Sequence, residues 1–220
     1  MKFNSDKILL FHNFYSQDSF NRFNSWSHCY NAFDDFNKSE DLLALHLGFY
    51  LASWGMYRGS TGLLQKDYQI HIEAVSIIKN YYDLRCSMSK EINRGQIDQL
   101  ISLKEDLFNY YNQFRYFDGK SEFKEKKPTE TLLSKIILGT LGCSPAFDRY
   151  FNIGVKVYNK NALTFNEKTF NILFDFIEQN DEDILELQEI LMNKENVYYP
   201  KFKLVDMFFW QLGFNKELKK

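Results

Sequence analysis

The stretch SEDLLALHLGFYLASWGMYRGSTG, residues 39–62, decides the fold class. Ser39 is a good helix N-cap, and the acidic residues at positions 40 and 41 suit the positive end of a helix dipole. The run 42–54 is apolar on nearly all sides, which is typical of a helix at the centre of a domain. Glycines at positions 55, 59 and 62 interrupt any continuation, because glycine destabilises helices. We therefore predict a buried central helix that ends in a glycine turn.

Apolar residues recur at helical spacing through most of the remaining chain. This pattern predicts further helices at 18–33, 60–85, 90–116, 128–138, 146–151, 164–177, 183–192 and 204–214, with a loop at 153–163. No convincing pair of strands and no internal repeat is evident. The prediction is an all-α fold, a single compact multi-helix domain over residues 1–220 around the buried central helix. The charged segment 118–127 is predicted to be an exposed linker within that domain.

The composition indicates an ordinary soluble protein of the reducing cytoplasm. Hydrophobic residues make up 45% of the chain, charged residues 25%, and the net charge is −2, which excludes the overall basic charge of a DNA-coating protein. The three cysteines are far apart and form no C-x-x-C pair, so we predict no disulfide framework, no metal site and no cofactor. Only four apolar residues follow the polar N-terminus, and no run reaches about 18 apolar residues, so no membrane partner is expected.

A second glycine turn, GTLGCSP at residues 139–145, resembles the first in its setting between apolar helical runs. Each turn carries small polar residues and has an arginine in it or just after it. We predict that the two turns lie together and form one polar pocket. Its predicted ligand-binding residues are Arg58, Ser60, Thr61 and Arg149, with Trp54 and Tyr57 as stacking surfaces and Asp148 as the candidate catalytic residue.

These residue types suit a phosphate-bearing ligand, either a nucleic acid or a nucleotide. Guanidinium groups bind phosphate through two parallel hydrogen bonds, free N–H groups at a helix start favour anions, and aromatic rings stack on bases. Asp148 is the candidate general base if the site carries out a reaction. The alternative is that both turns are tight structural corners, with Asp148 and Arg149 in local ion pairs. The chain is then a non-enzymatic interaction or homo-oligomerisation protein, with the aromatic segment 208–210 as a candidate interface.

Two local segments resemble elements of nucleic-acid enzymes. The second glycine turn resembles a helix–hairpin–helix element, although Ser144 stands near the place of the usual second hairpin glycine. That resemblance implies phosphate binding by backbone amides, and in helical DNA-repair glycosylases a catalytic aspartate lies downstream. Residues 22–28, RFNSWSH, resemble the R-x₄₋₆-H motif of HEPN ribonucleases through Arg22 and His28. A HEPN-like ribonuclease is therefore a second alternative function.

The whole chain is also similar to a family of uncharacterised bacterial all-helical proteins. The segments that carry this resemblance are SWGM with RGS at residues 53–60, and PAFDR at residues 145–149. The resemblance implies a helical fold and no particular activity.

Overall fold

The protein is described by a computed structural model that covers residues 1–117, 123–125 and 127–218. Within these ranges the chain forms ten α-helices and one two-stranded antiparallel hairpin. The elements are α1 (Ser5–Tyr15), α2 (Asn24–Ala32), α3 (Glu40–Ser53), α4 (Ile72–Lys79), α5 (Ile97–Tyr111), β1 (Arg115–Phe117), β2 (Phe123–Glu125), α6 (Glu130–Thr140), α7 (Arg149–Tyr158), α8 (Glu167–Gln179), α9 (Asp181–Glu195) and α10 (Lys201–Leu218).

Side-chain caps fix the starts of half of the helices. In each case a side-chain oxygen accepts a hydrogen bond from the backbone N–H three residues later, which satisfies one of the free donors of the first turn. The capping residues are Asn4, Ser39, Thr129, Asp148 and Asn166. Two of these helices border the site described below, α3 at its C-terminal end and α7 at its N-terminal end.

The all-α prediction is confirmed, and α3 is central to the fold. It contacts α2, α4 and α6, and its residues Leu43, Leu47 and Leu51 are completely buried. One face of this predicted buried helix is nevertheless open to solvent. An exposed stripe of Leu42, Leu45 and Phe49 runs along this face, because no other described element covers it.

Several predicted element boundaries are corrected by the structure. The predicted helix at 60–85 is three short 3₁₀ turns around α4, and the predicted helix at 90–116 begins only at Ile97. The segment 153–163, expected to be a loop, contributes its first half to α7. Helix α1 was not predicted at all, because the sequence before residue 18 offers only a short apolar run.

The predicted linker at 118–127 lies mostly outside the described residues. Its described part includes β2, which pairs with β1 in antiparallel register so that Arg115 lies opposite Glu125. This short hairpin departs from the prediction, which found no convincing pair of strands. The Arg115 guanidinium also bonds the Glu125 carboxylate at 2.8 Å.

Helices α7 and α10 touch backbone to backbone. A Cβ atom added to Gly154 would overlap the carbonyl oxygen of Phe209, and one added to Gly213 would overlap that of Tyr150. Two glycines facing each other thus permit a helix crossing that any side chain would prevent. The crossing fixes α10, which carries the buried charges of Lys203 and Asp206, against α7, whose N-cap is Asp148.

Within the described ranges, no helix combines the length and the apolar character that crossing a bilayer requires.

Candidate ligand-binding pocket

The first glycine turn satisfies its own polar groups. Gly59–Thr61 is a single 3₁₀ turn, and the Thr61 hydroxyl donates to the carbonyl oxygens of Met56 and Arg58. The Tyr57 hydroxyl lies 2.9 Å from Nε2 of His71. Arg58 and Ser60 are exposed. Since this turn does not begin a full helix, it lacks the helix dipole on which the predicted anion site depended.

The second glycine turn is buried from residue 141 to residue 147. Gly142 adopts a left-handed φ of 70°, and a Cβ there would meet Pro200 and Tyr30. The N–H groups of Ala146 and Phe147 donate to Asp206 and Ser134 at 3.0 and 2.8 Å. The turn therefore cannot offer these amides to a phosphate as a helix–hairpin–helix would. The adjacent Arg149 is exposed and forms an ion pair with Glu217.

The predicted site residues are thus divided between different places. Trp54 and Asp148 line one pocket, and the lining does not include Tyr57, Arg58, Ser60, Thr61 or Arg149. The predicted interface at 208–210 is also corrected, because Phe208 and Phe209 are buried in the core.

The HEPN-like pair is divided in the same way. His28 is exposed on α2 and is not part of the pocket lining. The side chain of Arg22 lies over the ring of Trp54, at 5.0 Å from the centroid, at the pocket's edge. Arg22 and His28 therefore do not line the same pocket.

The pocket containing Trp54 and Asp148, which we call the aromatic pocket, lies where α1, α2, α3, α6, α7, α9 and α10 meet. It contains a cavity of about 80 Å³. Its ring-bearing walls include Phe11, Tyr15, Phe23, Trp26, Trp54 and Trp210. All three tryptophans of the chain are in this lining. An apolar, aromatic lining with a few polar groups is typical of small-ligand sites.

Two buried ion pairs form the floor of the aromatic pocket. Lys135 Nζ lies 3.1 Å from the carboxylate of Asp148, and Lys203 Nζ lies 3.4 Å from that of Asp206. Each ammonium also lies over a tryptophan ring. Lys135 Nζ is 4.8 Å from the centroid of the Trp54 ring, and Lys203 Nζ is 5.0 Å from that of Trp26. Buried ion pairs stabilise a fold little compared with apolar residues of the same volume, so two of them around one pocket make it the candidate site.

Burial pushes the inner pair towards its neutral forms. Desolvation lowers the pKa of Lys203, and Asp206 opposes this shift. Desolvation likewise raises the pKa of the Asp206 carboxyl, and the negative charge of Asp148 raises it further. The hydroxyl-bearing ring of Tyr50 completes this floor, and its pKa is raised by burial and then by the two aspartates. The arrangement provides groups that can donate, accept or transfer a proton next to a bound molecule.

A third polar group of the lining comprises His12, Glu195 and Tyr199. His12 Nε2 lies 3.1 Å from Glu195 Oε1 and 3.3 Å from the Tyr199 hydroxyl. That hydroxyl donates to the second oxygen of Glu195 at 2.8 Å. Burial lowers the pKa of His12, while Glu195 opposes the shift. Burial therefore favours the neutral form of His12.

Most of these residues escaped the sequence analysis because they are distant from one another in the chain. His12, Lys135, Glu195 and Asp206 come from four different helices. One signal was present. Lys135 and Asp206 each stand inside an apolar run, TLLSKIILG at residues 131–139 and LVDMFFW at residues 204–210. Neither run offers a polar face for the charged side chain. A single charge inside an apolar run is a reason to expect a buried ion pair.

Comparisons with protein-family models, with curated proteins and with solved structures give no match for this chain. The resemblance to the bacterial helical family therefore stays an expectation, and the functional argument rests on the aromatic pocket.

Proposed function

We propose that the protein binds a nucleotide unit, with the base in the aromatic pocket and the phosphate at Arg22 on its rim. The observation that carries this proposal is the concentration of all three tryptophans and two buried lysine–aspartate pairs around a single pocket. The phosphate-bearing ligand predicted from the sequence is retained, and the proposed site is moved from the glycine turns.

A base suits this pocket because it has both flat apolar faces and polar edges. Phe11, Phe23 and Trp210 present rings whose centroids lie 5.7 to 6.2 Å from one another, an assembly that can pack against a planar molecule. Stacking of a base on an aromatic ring contributes about 1–3 kcal/mol. The floor then offers ammonium donors and carboxylate acceptors to the edge of the base.

Arg22 is the cation best placed for the phosphate. It is exposed, it sits beside the rings of Phe23 and Trp54, and no acidic partner for it is found among the described residues. The two pocket lysines, by contrast, already have aspartate partners. A free nucleotide and one nucleotide of a single strand present the same base and phosphate, so the same contacts serve both sources.

The test is a tryptophan fluorescence titration, since every tryptophan lines the pocket. The four ribonucleoside monophosphates, their nucleosides and short single-stranded DNA and RNA oligonucleotides would be compared. We expect at least one nucleotide to change the emission, and Arg22→Ala to weaken the binding of that nucleotide about tenfold with little effect on its nucleoside. Tighter binding of the oligonucleotide than of the monophosphate would identify a strand as the source.

The matched control is Arg58→Ala, which removes the same charge from an exposed arginine of the first glycine turn. The proposal requires this variant to bind as the wild type does. If Arg58→Ala weakens binding and Arg22→Ala does not, the glycine turn is the phosphate site. If no nucleotide, nucleoside or oligonucleotide changes the emission, the proposal is wrong.

A second candidate function, self-association, is favoured by the exposed stripe on α3. Leu42, Leu45 and Phe49 are 41%, 47% and 56% exposed and lie on one side of the helix. Light scattering over a concentration series would test it. A monomer at all concentrations would exclude this candidate, whereas a dimer that dissociates in Leu45→Lys would support it.

A further inference from the structure

Two residues that line the aromatic pocket each have a buried ring nitrogen without a hydrogen-bond partner among the described residues. Among the described residues, three buried side-chain polar atoms lack a hydrogen bond, namely His12 Nδ1, Trp54 Nε1 and Asn152 Oδ1. The first two belong to residues that line the pocket. A buried polar atom without a partner costs free energy, so this pairing of two such atoms at one pocket needs an explanation.

The surroundings of His12 fix which of its nitrogens carries the hydrogen. Glu195 can only accept hydrogen bonds when it is ionised, and its Oε1 lies 3.1 Å from His12 Nε2. The Tyr199 hydroxyl gives its own hydrogen to the other carboxylate oxygen. Nε2 is therefore the protonated nitrogen of the neutral ring, and Nδ1 is left with a free lone pair. Trp54 Nε1–H, in contrast, can only donate.

We infer that the base held in this pocket is recognised through an unsubstituted polar edge, which donates an N–H to His12 Nδ1 and accepts from Trp54 Nε1–H. This inference rests on the proposed function and adds the chemical feature that the site selects. A base whose edge N–H is replaced by N–methyl cannot donate, and it brings a methyl group against the lone pair of Nδ1. His12 is then the residue that determines specificity, and Glu195 is the positioning residue that holds its tautomer.

The experiment is a fluorescence titration with pairs of nucleosides. Each pair consists of a parent nucleoside and the analogue methylated at its donor group on the Watson–Crick edge, including dimethylation of exocyclic amino groups. We expect the parent of the bound pair to bind about tenfold to a hundredfold more tightly than the methylated analogue. If wild type binds parent and analogue equally, the inference is overturned while the proposed function stands. If neither nucleosides nor nucleotides bind, the proposed function fails instead.

Two variants separate recognition from a general loss of structure. His12→Phe keeps a flat ring and removes the acceptor, so it should reduce the preference for the parent nucleoside to near unity. Glu195→Gln can donate its amide N–H to Nε2, which would move the ring hydrogen to Nδ1 and abolish the same preference. The control is His28→Phe on the exposed face of α2, which should keep the wild-type preference. A full preference in both pocket variants would overturn the inference, and thermal melts establish that each variant is folded.

Discussion

At the scale of single residues, a buried histidine outside the pocket has both ring nitrogens within hydrogen-bond distance of tyrosine hydroxyls. His71 is completely buried, with Nε2 2.9 Å from the Tyr57 hydroxyl and Nδ1 2.6 Å from the Tyr111 hydroxyl. Burial lowers its pKa from 6.5 to about 3. The two tyrosines tie the first glycine turn to α5 through this ring, so the turn has a structural role.

His71 should make the protein sensitive to acid. Between pH 6.5 and pH 3 the His71 ring is protonated in the unfolded chain but stays neutral in the folded protein. The free energy of unfolding should therefore fall by about 1.4 kcal/mol per pH unit from this residue, or roughly 2.5 kcal/mol from neutral pH to about pH 4.5. Urea unfolding of wild type and His71→Gln at both pH values measures the difference. The exposed His28→Gln is the control, and equal acid sensitivity of His71→Gln and wild type would refute the assignment.

The inner pair of the pocket should show the cost of an isolated buried charge. Lys203→Met leaves Asp206 without its ammonium partner, which should lower the free energy of unfolding by about 3 kcal/mol. Lys203→Met/Asp206→Asn removes both charges and retains an oxygen for the N–H of Ala146, so it should recover most of that loss. Denaturant unfolding of the two variants makes the comparison. A single variant as stable as wild type would show that Asp206 is neutral or solvated in the folded protein.

At the scale of elements, the crossing of α7 and α10 is the contact least able to tolerate change. Gly154→Ala should lower the free energy of unfolding by about 3 kcal/mol, because the new methyl group would meet the carbonyl of Phe209 and the helices would have to separate. Thermal or denaturant unfolding checks this. Gly95→Ala is a suitable control, since a Cβ there meets only the side-chain oxygen of Asn93 at 3.1 Å. A mild effect of Gly154→Ala would mean that the two helices pack less closely.

The sequence predicts elements well where one side of a helix is apolar and a cap marks its start. Helix α8 shows this, with Asn166 as its cap and Phe170, Leu173 and Ile177 buried. Prediction fails where contacts distant in the chain decide the structure. The segment before α1 is anchored at Phe3, whose N–H donates a hydrogen bond to the side chain of Asn180. No residue near Phe3 in the sequence predicts that contact.

The candidate site shows the same division. Trp54 and Asp148 were identified because they adjoin glycine turns, and both do line the pocket. Lys135 contacts both residues, since its ammonium lies over the Trp54 ring and forms an ion pair with Asp148. Neither contact could be deduced, because such contacts have no fixed spacing in a sequence. The glycines were a good guide to backbone geometry, as Gly55, Gly62 and Gly142 all have positive φ, and a poor guide to ligand contacts.

At the scale of the whole molecule, the aromatic pocket joins seven helices, so an occupant should stabilise the entire fold. A ligand at a hundred times its dissociation constant adds about 2.7 kcal/mol, which corresponds to roughly 5–10 °C in Tm for a chain of this size. Thermal melts with and without the nucleotide that best changes the emission test this expectation. Arg58→Ala should show the same shift as wild type. Binding without any shift in Tm would place the ligand outside the pocket or show that it also binds the unfolded chain.

The contact of α7 with α10 also determines which walls of the pocket can move. Asp148 caps α7, while Lys203, Asp206 and Trp210 belong to α10, and the meeting of Gly154 with Gly213 prevents the two helices from sliding or rotating past each other. The charged floor is thus a rigid half of the site. The other half includes α1, which packs through Ile8 and Phe11, accepts a hydrogen bond from Gln211 at the Lys7 carbonyl, and takes no part in the α7–α10 crossing. Entry and exit of an occupant should therefore proceed by displacement of α1, with its amides exchanging with solvent deuterium well before those of α10.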